Sequence, residues 1–147
     1  MNQLHTSKFS ITSIVLLLLQ IRITLETCPQ SAPCSCSVQG NINKSYVLEV
    51  HCDKTQYTSL PDLLPLAAAP LFKLNLRQNK IKDLPADGFI GLKFRTLDRE
   101  VIPVLDVSSN PIITISEFAF RGIKADAVDL DLSNCSLEVI PHEALNK

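Results

Sequence analysis

The sequence predicts a solenoid of the α/β type, with a parallel β-sheet on its concave face and a mostly irregular convex side. Three observations support this prediction. Apolar residues recur at the same offsets in three successive stretches, which begin at Leu71, Ile102 and Ala127. A polar or thiol side chain occupies one fixed offset in each stretch. Four cysteines precede the first stretch, at the point where an apolar stack would otherwise be open to water.

The repeated stretch combines a short strand with a turn and a more gradual return segment that leads to the next strand. Its apolar offsets fit neither a helix nor a simple strand over the whole length. In Leu74-Asn75-Leu76 the two leucines point to one face of a strand and the asparagine to the other. The repeated apolar positions are Leu71, Leu74, Leu76, Ile81, Leu84, Phe89 and Leu92; Ile102, Leu105, Val107, Ile112, Ile115, Phe120 and Ile123; and Ala127, Leu130, Leu132, Leu137, Ile140 and Leu145. This spacing is that of a leucine-rich repeat, L-x-x-L-x-L-x-x-[N/C]-x-L, and it predicts a fragment of a horseshoe-shaped stack of coils.

The turn of each copy carries Asn79, Asn110 or Cys135 at the same offset. Such a turn leaves backbone N–H and C=O groups pointing into an interior that holds little water. An asparagine side chain both donates and accepts, so it can bond the backbone of neighbouring turns. A small cysteine with a weak S–H donor is the usual substitute. The three residues are therefore predicted to form an asparagine ladder, in which Cys135 is buried and chemically inert.

Residues 1–27 differ from the rest of the chain. Lys8 precedes an apolar run from Ile11 to Ile21, which Arg22 ends. A bilayer span needs about 20 apolar residues, so this shorter run is predicted to be a secretory signal peptide. The residues that follow do not form a clean A-x-A cleavage site, and a retained N-terminal anchor is the alternative. The mature chain is predicted to be secreted, without a membrane span after signal cleavage.

The remainder divides into a cap and three coils. We assign an N-terminal cysteine-rich cap to residues 28–61 and three repeats to residues 71–147, namely 71–101 with an insertion at 93–103, 102–126, and an incomplete copy at 127–147. The cap is itself a worn repeat, because Val50 and Cys52 occupy the offsets of Leu130 and Leu132. It is predicted to pair with the edge of the first true strand and to cover the apolar stack.

Two segments and the chain end depart from the regular repeat. The prolines within residues 62–73 predict an irregular convex-side segment, and a helical turn around residues 63–69 is the alternative. The insertion at 93–103 is interpreted as a solvated loop, with a recognition loop as the alternative. The third copy stops before its last apolar position. The sequence is therefore interpreted as a fragment of a longer ectodomain or, alternatively, as a chain whose end a partner or a second copy covers.

Four of the five cysteines cluster at the start of the mature chain. In an oxidising compartment, Cys28, Cys34, Cys36 and Cys52 are expected to form two disulfides, and a zinc site is the alternative. The stretch CPQSAPCSCS…VLEVHCDKTQYTSLP is similar to the N-terminal cysteine cap of extracellular leucine-rich-repeat proteins, although its first two cysteines are further apart than usual. The resemblance implies the pairs Cys28–Cys36 and Cys34–Cys52, and Cys135 is then a free thiol. The CPxxxPCxC opening also resembles that of arthropod secreted leucine-rich-repeat proteins.

The composition and the motifs argue against some classes of function. A net charge of −1 with well-mixed signs argues against a nucleic-acid partner. The sequence has no nucleophile elbow, phosphate-binding loop or catalytic histidine set, so neither enzyme activity nor a cofactor is predicted. The resemblance implies recognition of, or adhesion to, an extracellular protein of unknown identity. A non-catalytic structural or auxiliary subunit of an extracellular assembly is the alternative.

The concave strand face is the predicted binding surface, because side chains from successive coils adjoin there. The predicted binding residues are Lys73, Asn75, Arg77, Asp106, Asp129 and Asp131. The three carboxylates could hold Ca²⁺ or a basic protein surface, and the alternative is an ordinary solvated strand face, so no metal site is assigned. Two sequons, at Asn43 and Asn134, predict glycosylation.

Overall fold

Within the 147-residue chain, a computed structural model describes residues 28, 33–40, 46–96, 101–139 and 141–145. Some of the sequence predictions concern other residues. The signal peptide at 1–27, the sequon at Asn43, the apolar position Ile140 and the middle of the insertion, 97–100, all lie outside the described residues.

The described elements are mostly short strands separated by turns. They are β1 (Ser35–Gln39), β2 (Val47–His51), a 3₁₀ helix (Leu64–Ala68), β3 (Pro70–Asn75), β4 (Asp83–Leu84), β5 (Lys93–Phe94), β6 (Val104–Asp106), β7 (Thr114–Ile115), β8 (Asp129–Asp131) and the single-turn helix α1 (His142–Leu145). Each copy of the repeat begins with a strand of the main sheet, because its L-x-L core buries alternate side chains and leaves the residue between them on the other face. The first copy adds β5 to this sheet, where it pairs with β3.

The main sheet runs in the order β1, β2, β3, β6, β8. Strand β1 is antiparallel to β2, and the later pairs are all parallel. Val50, Leu74, Leu105 and Leu130 lie opposite one another across the four parallel strands. This register agrees with the alignment of the sequence repeats, apart from an irregularity between Leu48 and Glu49.

The apolar core lies behind the sheet and is densest in its middle coils. Leu74, Leu76 and Leu105 are almost completely buried. On the return side, the rings of Phe89 and Phe120 stack with centroids 5.5 Å apart. The corresponding leucines of the last coil, Leu130, Leu132 and Leu137, are only half-buried, since no described strand lies beyond β8.

A second parallel ladder joins the return paths of the first two coils. Strand β4 pairs with β7, and Gly91 N–H donates to the carbonyl of Gly122 at 3.2 Å. Both glycines have positive φ, +80° and +83°, which favours glycine. A Cβ on Gly122 would lie 3.0 Å from Cγ1 of Ile90, so the two coils approach closely here.

Two predicted irregular segments contain regular structure. Residues 62–73 were expected to be irregular because of their prolines, but Leu64–Ala68 form a 3₁₀ helix. Proline is tolerated in the first turn because its missing N–H has no helical partner there, and Pro65 occupies that turn. The insertion also begins as a strand rather than a loop, because Lys93 and Phe94 pair with Pro70 and Leu71.

Candidate binding surface and the turns that shape it

Each coil leaves the sheet through a residue in the left-handed backbone region. The φ angles are 57° at Lys54, 55° at Gln78, 54° at Ser109 and 53° at Asn134. Non-glycine residues adopt this conformation rarely, so its recurrence at one repeat position marks one shared turn. The turn directs the backbone inward just before the predicted ladder position.

Asn79 satisfies buried backbone groups of its own coil and of the preceding one. Its Nδ2 donates to the carbonyls of Leu76 and Cys52, both at 2.8 Å. Its Oδ1 accepts from the N–H of Tyr57 at 3.1 Å. The side chain is buried, so these bonds replace water that cannot reach the turn.

Asn110 repeats the arrangement one coil further on. Its Nδ2 donates to the carbonyls of Val107 at 3.0 Å and Leu76 at 2.9 Å, and its Oδ1 accepts from Ile81 N–H at 3.1 Å. Of the three bonds named for each asparagine, one lies within the residue's own turn and the other two link neighbouring coils. The asparagines thus stabilise both the turn and the stacking of the coils.

Cys135 occupies the third ladder position with fewer contacts. Its Sγ donates to the carbonyl of Val107 at 3.7 Å, which is the bond to the preceding coil. Burial raises the pKa of the thiol above its ordinary value. The side chain is half-buried rather than fully buried as expected, because no described coil packs on its outer side.

Thr55 is a ladder residue that the sequence reasoning missed. Its Oγ1 lies 3.0 Å from the carbonyl of Cys52 and 2.9 Å from Oδ1 of Asn79, so its hydroxyl proton can be donated to either oxygen. The available signal was the alignment of Cys52 with Leu76, because it places Thr55 at the offset of Asn79. The cap therefore carries a hydroxyl where the first two coils carry an amide.

Two disulfides hold the cap. Cys28 is joined to Cys36, and Cys34 is joined to Cys52, which are the pairs that the resemblance implies. Cys52 is fully buried and follows β2, so the second bond connects the start of β1 to the core of the cap. The disulfides are compatible with an extracellular protein, since such bonds persist in oxidising compartments.

The six predicted binding residues fall into two groups. Arg77 and Asp129 are exposed, while Lys73 and Asp131 are half-buried, and these four are accessible from solvent. Asn75 and Asp106 are only 8% exposed. These two residues lie on β3 and β6 but contribute little accessible surface, and the assignment of the six as binding residues stays a prediction.

The side chains of those two residues bond the backbone two residues further on. Asp106 Oδ1 accepts from the N–H of Ser108 at 3.0 Å and from its hydroxyl at 2.6 Å, and Asn75 Oδ1 accepts from Arg77 N–H at 3.1 Å. Such side chain to backbone bonds across two residues are typical of Asx turns. Asp131 makes the same bond with Ser133 N–H at 2.8 Å. Hydrogen bonding by the hydroxyl of Ser133, and then by its N–H, lowers the pKa of the Asp131 carboxyl.

The geometry assigns neither a metal ion nor a glycan to this face. Among the described residues, no three His, Cys, Asp or Glu side chains lie close enough together to hold a metal ion, so Asp106, Asp129 and Asp131 do not converge on a Ca²⁺ site. The sequon residue Asn134 lies at the exposed left-handed turn position, and its glycosylation stays a prediction.

A sheet of parallel strands in register, joined by turns with buried asparagines, is compatible with a leucine-rich-repeat fold. In sequence, the chain is 30% identical over 135 residues to leucine-rich repeat-containing protein 3B of Homo sapiens and of Mus musculus, a match that covers 88% of this chain and 46% of each relative. It is 29% identical over 117 residues to leucine-rich repeat-containing protein 3 of Danio rerio, covering 80% of this chain and 38% of that protein.

These matches support the interpretation of the chain as a leucine-rich-repeat protein. The chain spans less than half the length of the curated relatives it matches. No protein-family model matches it. None of the helices in the described part of the chain has the length and apolar character needed to cross a lipid bilayer.

Proposed function

We propose that the chain is a secreted recognition module that binds another extracellular protein through the strand face of its main sheet. One observation carries the proposal. Equivalent positions of β2, β3, β6 and β8 lie side by side, so that side chains of successive coils adjoin on one surface. A repeat array commonly uses such a surface for binding.

The accessible side chains give this surface a gradient of charge, from positive near the first coil to negative at the last. Lys73 and Arg77 are contributed by β3 and the residues after it, whereas Asp129 and Asp131 belong to β8. A partner with an acidic patch near the first coil and a basic patch near the last would match that order. Charge complementarity of this kind contributes specificity and association rate more than affinity. The proposed role is binding rather than catalysis, and the similarity to leucine-rich repeat-containing proteins supports it.

The experiment uses the secreted chain with its disulfides and a panel of purified extracellular domains. The test variant is Arg77→Glu/Asp129→Lys, which cancels the gradient of charge and keeps the net charge. The matched control is Lys82→Glu/Glu138→Lys, which exchanges two exposed charges outside the strand face. Both variants should fold normally, because exposed substitutions usually change the free energy of unfolding by less than about 0.5 kcal/mol.

A domain that the wild-type chain binds should lose affinity for the test variant and keep it for the control. Equal affinities for the wild-type chain and the test variant would contradict a strand-face site. The proposed secretion has its own measurement. The N-terminus of the exported chain should follow residue 22 or a later residue before Cys28, whereas retention of residues 1–27 would contradict a cleaved signal.

A further inference from the structure

Three cationic side chains are brought together at the edge of the main sheet where the strands begin. Lys93 lies opposite Pro70 in the β3–β5 pair, and it also forms a parallel bridge with Lys124 of the next coil. The N–H of Arg95 donates to the carbonyl of Leu71 at 2.9 Å. The backbone therefore fixes the spacing of Lys93, Arg95 and Lys124, which we call the basic cluster.

The basic cluster lines an open cavity of about 390 Å³. Its lining residues are Ala68, Pro70, Lys93, Phe94, Arg95 and Lys124. None of them is acidic. An adjoining cavity of about 610 Å³ shares Arg95 and Lys124 and adds one carboxylate, that of Asp126. The described walls of the two cavities therefore carry an excess of positive charge in a chain whose net charge is −1.

The close approach of these cations is unfavourable without a counter-ion. Like charges opposite each other on neighbouring strands repel, and Lys93 and Lys124 are such a pair. Among the described residues, the side-chain contacts between acidic and basic groups are those of Glu49 with His51 and of Asp87 with Arg121, so the cluster takes part in neither. An anionic group bound between the cations would relieve their repulsion. All three side chains are exposed and free to reach such a group.

We infer that the basic cluster binds sulfate groups of an anionic polysaccharide. Arginine and lysine are both suited to oxyanions, arginine through its planar fork of donors and lysine as a point charge. Two sources of oxyanion fit a cavity of this kind, namely sulfated polysaccharides and phospholipid head groups. The anionic leaflet of a membrane faces the cytoplasm, so a secreted chain does not meet it. This choice of source rests on the secreted location in the proposed function, whereas the cluster itself does not.

The test measures binding of the full secreted chain to immobilised heparin at physiological ionic strength. The variant is Lys93→Gln/Lys124→Gln, and the matched control is Lys80→Gln/Lys82→Gln, which removes two exposed lysines elsewhere. Because exposed charge pairs are individually weak, the variant should bind heparin about 3–10-fold more weakly, with the control within about twofold of the wild-type chain. The difference should shrink as salt is added, because the charges become screened.

Binding of the chain to vesicles that contain phosphatidylserine and, separately, to a polyglutamate peptide tests the other anions. Absence of heparin binding by the wild-type chain, an equal loss in the variant and the control, or tighter binding to either alternative anion would overturn the inference. If the double variant loses its cooperative thermal unfolding, the single substitution Arg95→Gln takes its place and should weaken heparin binding by itself. These substitutions leave the strand face intact, so partner binding there can fail or succeed independently.

Discussion

The turns at Asn110 and Cys135 have the same backbone but different side-chain bonding. The residue before each is left-handed, with φ of 54° at Ser109 and 53° at Asn134. Asn110 makes two short bonds to carbonyls and accepts one from an N–H, whereas Cys135 makes one long bond to the carbonyl of Val107. The shape of the turn is thus preserved where its hydrogen bonding is not.

This difference separates two roles of the ladder residue. The left-handed turn forms with either side chain, so an amide is not needed for the turn itself. What the amide adds is a set of bonds between coils, and these are made where Asn110 is enclosed on both sides. At Cys135 the outer side lacks a described coil, and fewer buried groups need a partner. The stabilisation by each coil should therefore follow the burial of its turn and of its leucines.

The largest expected effect contrasts the leucines of the two coils. Leu105 is 1% exposed, and Leu105→Ala should reduce the free energy of unfolding by about 2–5 kcal/mol, because it leaves a cavity in the packed core. Leu132 is half-buried, so Leu132→Ala should cost less, about 1–2 kcal/mol, from lost apolar contact alone. Urea unfolding of both variants measures the gap. Equal losses would mean that the last coil is packed as tightly as the middle one.

A smaller effect concerns the thiol of Cys135. Burial raises its pKa, so a smaller fraction is thiolate at neutral pH than in the unfolded chain, and alkylation of the folded protein should be slower. The raised pKa also means that the folded state holds the thiol proton more tightly. Its contribution to stability is complete below the unfolded pKa and is lost as the pH rises through the folded value.

Alkylation rates from neutral to alkaline pH, followed by peptide mapping, measure this effect. Cys135→Ala should show a weaker loss of stability in the alkaline range than the wild-type chain. A thiol that reacts as fast in the folded protein as in urea would place Cys135 in full contact with water. Modification of any cap cysteine without prior reduction would contradict the two disulfides.

The strand register could be predicted from the sequence, whereas the state of individual polar side chains could not. Leu74, Leu105 and Leu130 share an offset in the repeat, and stacked coils must align such residues to bury them together. Asp106 accepts a hydrogen bond from Ser108, which forms only once the turn has its final geometry. Repeat spacing contains no information about that bond.

Contacts between the return paths could not be predicted from the sequence either. The bridge between Lys93 and Lys124 joins two segments that the repeat consensus leaves unspecified, so the basic cluster has no counterpart in the sequence pattern. Thr55 was missed for a different reason. A hydroxyl is not one of the consensus residues at the ladder position, although it can donate to the same carbonyl as an asparagine of that turn.

The most direct test of the ladder exchanges the two side chains between their turns. Asn110→Cys should lower the free energy of unfolding by about 1–3 kcal/mol, since it leaves buried groups such as the N–H of Ile81 without a partner. Cys135→Asn should raise it by about 0.5–1.5 kcal/mol, since an amide there can reach the carbonyl of Val107 with a normal bond. Urea unfolding of the two variants beside the wild-type chain measures both changes. Opposite signs are the result that the ladder predicts, and two unchanged stabilities, or a loss from Cys135→Asn as large as that from Asn110→Cys, would contradict it.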